Sequence, residues 1–281
     1  MRLSYQELLD YDIPEVRQRY SQRDSILYAL SVGVAQNPLD ELGLHYVDEQ
    51  YGPHVLPSMA VVLGYPGFWL RTPGIDADVT RLLHGEQSVT LLAAIPAEGE
   101  VIGKTRVVEA VDKGEKGLLL YSEKELRDAG TGQLLATTAA THVLRGDGGM
   151  AGAPTQARMV EPFPDSLPQA SCTISTRTDQ ALLYRQNGDR NPLHSDPAVA
   201  KKAGYERPIL HGLCTFAMVN HAVSRTLGKS SEGDFDSVFM RFSAPVFPGE
   251  QLRVDVWGDG AFRATALERN VVVMQGRQRN R

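Results

Sequence analysis

Residues 213–227, LCTFAMVNHAVSRTL, constrain the fold more than any other part of the chain. At helical spacing one face carries Leu213, Phe216, Ala217, Val223 and Leu227, and most of the remainder carries Met218, Val219 and Ala222. A helix that is apolar nearly all round must be covered on most of its sides. A curved antiparallel sheet provides that cover, so we expect an α+β arrangement.

The two halves of the chain repeat one plan. In the second half, segments rich in β-formers flank the helix: SCTISTR before it, and DSVFMRFSAP, EQLRVDVWG, AFRATALER and VVVMQG after it. In the first half, SMAVVLGYPGFWL is apolar but interrupted by Gly64, Pro66 and Gly67, which predicts a short, broken core helix. Four predicted strands follow it: VTLLAAIP, EVIGKTRVVEAVD, KGLLLYSEKELRD and QLLATTAATHVL.

Shorter helices are predicted around this plan. Residues 23–35 place Ile26, Leu30 and Val34 on one stripe, with Asp24 or Ser25 as the cap. A short helix over residues 5–11, one capped by Thr178, and one that starts at Pro197 after Asp196 complete the set. The Gly- and Pro-rich residues 145–169 show no periodicity, so we predict a linker between units 1–144 and 170–281.

Composition excludes several functional classes. The net charge of −5 over 281 residues gives no global basic field for nucleic acid or an anionic membrane. Apolar runs fall far short of a membrane span, and the first residues lack a signal-peptide core, so we expect a cytoplasmic protein. Two cysteines make no disulfide framework or zinc motif, and GDGGMAG does not match a dinucleotide loop.

The chemistry concentrates in NGDRNPLH, residues 187–194. Pro192 favours extended backbone before it, which points Asp189 and Asn191 the same way. His194 follows five residues after the acid, close enough for both to hold one water as a general acid/base pair. The amide of Asn191 only hydrogen-bonds, so we expect it to position its neighbours.

Gly212 opens the apolar helix 23 residues after Asp189. The first N–H groups of a helix have no internal partner, and glycine lets a substrate oxygen approach them. This favours an oxyanion hole for a carbonyl, which would make a conjugated β-carbon electrophilic.

Taken singly, each of these residues has a structural explanation. Asp-x-Asn-Pro is typical of a turn, a histidine before a helix is typical of a cap, and a glycine eases a helix start. The combination, in this order and spacing, favours a functional site. His211 and His221 are interpreted as structural, because no third residue of suitable spacing joins them as a metal ligand.

NGDRNPLH followed by PILHGL resembles the signature of the MaoC-like (R)-specific enoyl-CoA hydratases, and the resemblance extends over nearly the whole chain. It implies a double hot-dog fold, with two antiparallel sheets that each wrap a central helix and join edge to edge. The implied reaction is reversible hydration of trans-2-enoyl-CoA to (3R)-3-hydroxyacyl-CoA, without a metal or a redox cofactor, in a homodimer. Because the first half lacks the motif, one active site per chain is expected, with the first unit shaping the acyl groove.

The resemblance also assigns residues. Asp189 and His194 would be the catalytic pair, with Asn191 orienting and the Gly212 N–H taking the thioester oxygen. CoA and acyl contacts would fall on His84 and Gly85 in LLHGEQS, Lys113, Arg190, Pro192, Leu193 and Phe242. Lys113 in a turn, His84-Gly85 at a strand start and Phe242 in the core are also explained by structure alone.

Three alternative functions stay open. A 3-hydroxyacyl dehydratase of fatty acid or polyketide synthesis would use the same residues in reverse. A non-catalytic acyl-CoA binding module would bind the thioester without turnover. A hot-dog thioesterase would release a free thiol.

Overall fold

The computed structural model describes residues 1–228 and 235–280. The α-helices of these residues are α1 (Tyr5–Leu9), α2 (Gln22–Ser31), α3 (Glu41–Val47), α4 (Gln180–Tyr184), α5 (Pro197–Lys202) and α6 (Gly212–Thr226). The strands are β1 (Val16–Tyr20), β2 (Leu82–Leu91), β3 (Gly99–Asp112), β4 (Leu118–Asp128), β5 (Leu134–Leu144), β6 (Ala170–Ser175), β7 (Phe235–Phe242), β8 (Gln251–Val256), β9 (Ala261–Ala266) and β10 (Val271–Asn280).

These strands form one antiparallel sheet in the order β1-β3-β4-β5-β2-β7-β10-β9-β8-β6. The first five belong to the first half of the chain and the last five to the second half. The halves meet where β2 pairs with β7 over five residue pairs, from Glu86↔Arg241 to Thr90↔Ser237. The expected double hot-dog fold with units joined edge to edge is confirmed.

Helix α6 occupies the concave side of the second unit's sheet. It is one residue offset from the predicted span, and most of it is buried: Cys214, Thr215, Phe216, Ala217, Met218, Val219, Asn220, Ala222 and Val223. Its two buried polar groups are satisfied locally, since Asn220 donates to Gln278 Oε1 at 2.9 Å and Thr215 to the His211 carbonyl at 3.4 Å. The all-round apolar pattern therefore predicted both the helix and its cover correctly.

The central helix of the first unit is reduced to a single 3-10 turn, Pro57–Val61. Lys124, from the inner face of β4, ends this turn: its Nζ donates to the carbonyls of Ala60 (2.9 Å), Val61 (3.1 Å) and Leu63 (2.5 Å). All three ammonium hydrogens are thus used at the negative end of the turn. Burial lowers the pKa of Lys124 to about 7. The predicted broken helix is confirmed, and the buried amino group of Lys124 binds the carbonyls at its end.

Several predicted details are wrong. Helix α2 buries Ser25, Tyr28 and Ala29, whereas Leu30 of the predicted stripe is 46% exposed. Its cap is Ser21, whose hydroxyl accepts from the Asp24 N–H in a capping box. The cap of α4 is Asp179 rather than Thr178, and it makes no side-chain cap bond.

Two strands also differ from the prediction. Strand β1 was not predicted; it is a charged edge strand, whose Arg17 and Arg19 pair with Glu100 on β3. Strand β2 begins at Leu82 and therefore includes LLHGEQS, and it ends at Leu91, before the end of the predicted VTLLAAIP segment. Elsewhere the predicted strands and the cap of α5 by Asp196 are confirmed, and residues 145–169 contain no helix or strand. No helix among the described residues has the length and apolar character required to cross a membrane.

Replacement of Lys124 by methionine should destabilise the protein strongly. The methionine fills the space but leaves three buried carbonyls without their donor, so we expect a loss of about 3–5 kcal/mol of unfolding free energy. Denaturant unfolding followed by circular dichroism measures the change. Lys116→Met, in an exposed turn, is the matched control and should change stability by less than about 0.5 kcal/mol. Equal effects of the two variants would contradict the role given to Lys124.

Candidate active site

The loop after α4 carries the predicted acid and base. The helix continues as a 3-10 turn, Arg185–Asn187, and the chain leaves it at Gly188 with a φ of 113°, a left-handed conformation that favours glycine. Asp189 is exposed, and its Oδ1 accepts the Asn191 N–H at 3.1 Å. Asn191 Oδ1 in turn accepts the Leu193 N–H at 3.1 Å, which caps the next turn, Pro192–His194. The amide of Asn191 thus orients the turn that carries His194.

His194 has a defined tautomer. Its Nδ1 lies 2.9 Å from the Ile209 carbonyl, and a carbonyl only accepts, so Nδ1 carries the hydrogen. In the neutral ring Nε2 is therefore a proton acceptor. Burial lowers the pKa of His194, while the Ile209 carbonyl and the charge of Asp189 oppose this. The ring is neutral at neutral pH and lies within electrostatic reach of Asp189.

His211 joins this pair, although its sequence position was interpreted as structural. Its ring stacks on His194 with centroids 3.7 Å apart, and its Nε2–H donates to the Asp189 carbonyl at 3.2 Å. Burial and the neighbouring His194 lower the pKa of His211 to about 3. Its place directly before Gly212 was the sequence signal that could have identified it.

The three side chains also resemble a metal-ligand set. One ligand atom from each of Asp189, His194 and His211 lies within 4.8 Å of the others. Two imidazoles and a carboxylate suit a transition metal. One nitrogen of each ring already donates to a carbonyl, which leaves His194 Nε2 and His211 Nδ1 as the free nitrogens of the pair. The prediction of no metal stays a prediction.

Gly212 is the first residue of α6, and the helix has no side-chain cap. The N–H groups of Gly212 and Leu213, which precede the first helical hydrogen bonds, therefore have no partner within the helix. Phe242, the last residue of β7, lies against Gly212: a Cβ added there would come 3.3 Å from the Phe242 ring. The ring of Phe242 thus packs against this glycine, which lies directly after His211.

The first unit contributes His84. Its ring lies 5.0 Å from that of Phe242, centroid to centroid, and its Nε2 lies 3.0 Å from the Glu86 carbonyl. Burial lowers the pKa of His84 to about 4, against the charge of Asp189. Gly85 lies at a β-bulge, where an added Cβ would come 3.2 Å from Val143. His84 thus lies beside Phe242 at the site, and a contact of His84 or Gly85 with CoA or the acyl group stays a prediction.

Other residues near the site were not predicted. His142, the cross-strand partner of His84, stacks on it at 4.9 Å, and burial lowers its pKa to about 3. Tyr184 packs 5.0 Å from His211. Burial and the Asp189 charge raise the pKa of Tyr65 to about 12. These side chains come from separate parts of the chain, and no local pattern indicates that they meet near the site.

The remaining predicted contacts are not all brought together. Lys113 lies in the turn after β3 and donates to the Thr155 carbonyl at 3.0 Å. Strand β3 is three strands from β2, roughly 14 Å at normal strand spacing. Arg190 and Pro192 are exposed on the loop and Leu193 is half-buried. A contact between these residues and CoA stays a prediction.

Comparison with known proteins agrees with this architecture. Residues 160–278 match the family described as "MaoC like domain", and residues 18–146 match the "MFE-2 hydratase 2 N-terminal domain". A 3-hydroxyacyl-thioester dehydratase Y of Mycobacterium tuberculosis is 40% identical, with 85% of this chain and 82% of that protein aligned. The chain belongs to the MaoC-like hydratase family, in its two-unit form.

Two further members of the MaoC-like family show how far the likeness extends. The peroxisomal enoyl-CoA hydratase 2 of Arabidopsis thaliana is 35% identical over 96% of this chain and 93% of its own length. The crystal structure of a MaoC-like dehydratase from Phytophthora capsici superposes with a TM-score of 0.83 at 30% identity, and covers 97% of this chain and 98% of that one. Both units are therefore shared with other MaoC-like proteins.

The titration of His194 tests the geometry of the site without an activity assay. We expect nitrogen-15 NMR at pH 7 to show hydrogen on Nδ1 and none on Nε2, and the pKa to lie below 6.5. In Asp189→Asn the pKa should fall further, because the carboxylate that favours the charged ring is lost. Comparison with His194→Gln assigns the signal. An unchanged pKa in Asp189→Asn would contradict the proximity of the two side chains.

Proposed function

We propose that this protein is a hydratase that adds water reversibly to trans-2-enoyl-CoA and forms (3R)-3-hydroxyacyl-CoA. One observation carries the proposal: Asp189 and the neutral imidazole of His194 lie beside His211, the residue directly before the buried helix α6. His211 stacks on the ring of His194 and donates a hydrogen bond to the carbonyl of Asp189. Water activation and carbonyl polarisation are the two requirements of the reaction. The names of two-unit relatives at 35% identity or more support the same reaction class.

In the proposed mechanism the thioester oxygen accepts a hydrogen bond from the Gly212 N–H. Negative charge that develops on this oxygen is stabilised by the N–H groups and dipole of α6, by about 3 kcal/mol per donor. Asp189 and His194 hold the water between them. His194 Nε2 accepts a proton as the water oxygen adds to the β-carbon, and the pair returns a proton to the α-carbon. The (3R) outcome follows the family resemblance.

A second candidate is the reverse reaction, a 3-hydroxyacyl-thioester dehydratase. The name of the relative at 40% identity favours it. The same residues serve both directions, because the catalyst of a reversible step accelerates both. Supply of the acyl group on a carrier protein rather than on CoA would favour a role in synthesis.

The remaining features of the proposal follow from the chemistry and the resemblance. Addition of water transfers no electrons, so we propose that no redox cofactor or metal takes part. We propose a cytoplasmic homodimer, with one active site per chain in the second unit. The first unit, with its helix reduced to one turn, would shape the acyl groove.

Substitutions of the proposed catalytic pair, Asp189 and His194, test the function. Asp189→Asn and His194→Ala should each lower the rate of crotonyl-CoA hydration by about 100-fold or more, because each removes one proton-transfer group. Loss of absorbance at the enoyl thioester band measures the rate, and chiral analysis of the product tests the configuration. Asp196→Asn is the matched control, since Asp196 caps α5 by accepting the Ala198 and Val199 N–H groups and asparagine caps as well. Near-normal turnover in Asp189→Asn would contradict the assignment.

The pH dependence of kcat/KM follows from the state of His194. The ring must be neutral to accept the proton of water, and its pKa is below the ordinary value because it is buried. Activity should therefore be flat around neutral pH and fall only as the pH drops below 6.5. Initial rates between pH 4.5 and 8 at low substrate concentration measure the acid limb. A midpoint above 6.5 would contradict this account of His194.

A further inference from the structure

His211 lies at the junction of the two halves of the site. Its backbone carbonyl accepts the N–H groups of Cys214 and Thr215 at 3.1 Å each, so it begins α6. Its side chain reaches the acid–base loop, residues 188–194, which carries Asp189 and His194. There its Nε2–H donates to the Asp189 carbonyl at 3.2 Å, and its ring stacks on that of His194 with centroids 3.7 Å apart. One residue thus connects the loop that activates water to the helix that would receive the thioester oxygen.

Packing alone does not explain a histidine at position 211, because its second ring nitrogen, Nδ1, is buried without a hydrogen-bond partner among the described residues. His211 as a whole is 1% exposed. A buried acceptor without a partner destabilises a fold. A phenylalanine would keep the contacts with His194 and Tyr184 and would have no such atom. What the imidazole adds is the hydrogen bond to Asp189.

That hydrogen bond restrains the backbone at Gly188 and Asp189, where little else restrains it. Gly188, directly before Asp189, has a φ of 113° and no side chain to restrict it. Asp189 is itself exposed, so its side chain is not fixed by packing. A donor fixed in the interior and bound to the Asp189 carbonyl sets the orientation of the peptide, and hence the direction in which the carboxylate leaves the backbone.

We propose that His211 is a positioning residue for the hydration reaction, and that it aims Asp189 by fastening the acid–base loop to the start of α6. This inference rests on the proposed function. Because burial and His194 lower the pKa of His211 to about 3, the ring stays neutral and keeps its Nε2–H donor throughout the working pH range. His211 itself exchanges no proton with the substrate.

Two substitutions separate the hydrogen bond from the ring. His211→Phe keeps a stacked ring and loses the donor, whereas His211→Gln places an amide N–H near the Nε2 position and loses the ring. We expect His211→Phe to keep or raise Tm, to lower kcat for crotonyl-CoA by about 10- to 100-fold, and to leave KM within about twofold. His211→Gln should recover part of kcat. Unchanged kcat in His211→Phe, or a kcat in His211→Gln no higher than in His211→Phe, would overturn the proposal.

Amide hydrogen exchange gives a readout that does not depend on activity. The Asn191 N–H donates to Asp189 Oδ1, so its exchange rate reports whether the carboxylate is held in place. NMR should show exchange at this amide about fivefold faster or more in His211→Phe, with His211→Gln closer to the native protein. Equal exchange in the native protein and His211→Phe would overturn the proposal. If the native protein itself failed to hydrate crotonyl-CoA, the proposed function would be contradicted, and the exchange rates would still decide the role of His211.

Discussion

The pairing of β2 with β7 is the interaction on which the site depends. Arg241 binds Glu86 Oε1 through Nε at 3.0 Å and a terminal nitrogen at 2.5 Å, across the first residue pair of this seam. Glu86 Oε2 accepts from the hydroxyl of Thr141 at 2.7 Å. The seam thus fixes the register between the two units with an ion pair on one face of the sheet. A slip of one residue would turn every side chain of one strand to the opposite face.

The β-bulge at Gly85 determines which side chains lie on the opposite face of the sheet at this seam. His84 and Glu86 are two residues apart, and in a regular strand they would point the same way. The register shift between them lets Glu86 bind Thr141 while His84 stacks on the next residue of β5, His142. Because Phe242 follows Arg241 directly, it meets His84 on the inner face. The seam therefore brings a first-unit histidine to the helix start of the second unit.

The sequence predicted what local patterns determine. The apolar period of α6 and the cap of α5 are encoded within a few residues, and both were predicted correctly. The proximity of Asp189 and His194 also follows from their short separation along the chain, and their catalytic roles stay a prediction. The prediction of the buried face of α2 was wrong because it rested on the stripe of apolar residues alone. The fold instead buries Ser25 and Tyr28 against other segments, and the Ser25 hydroxyl donates to the Ala97 carbonyl. His211 belongs to the site through contacts with His194 and Asp189, which lie 17 and 22 residues earlier in the chain. His142 is near the site because it pairs with His84 of β2. No local period contains such contacts.

The difference between the two core helices gives a physical reason for the proposal of a single site per chain. A helix start serves as an oxyanion hole through its first free N–H groups, and α6 offers these at Gly212. The corresponding turn of the first unit begins with Pro57, which has no N–H to donate. At its other end Lys124 donates to the carbonyls of Ala60 and Val61 in the turn and to that of Leu63 just after it. The first unit thus has a helix that stops after one turn and cannot polarise a carbonyl at its first residue. Its contribution to the proposed reaction is His84, whose ring meets Phe242 beside the start of α6.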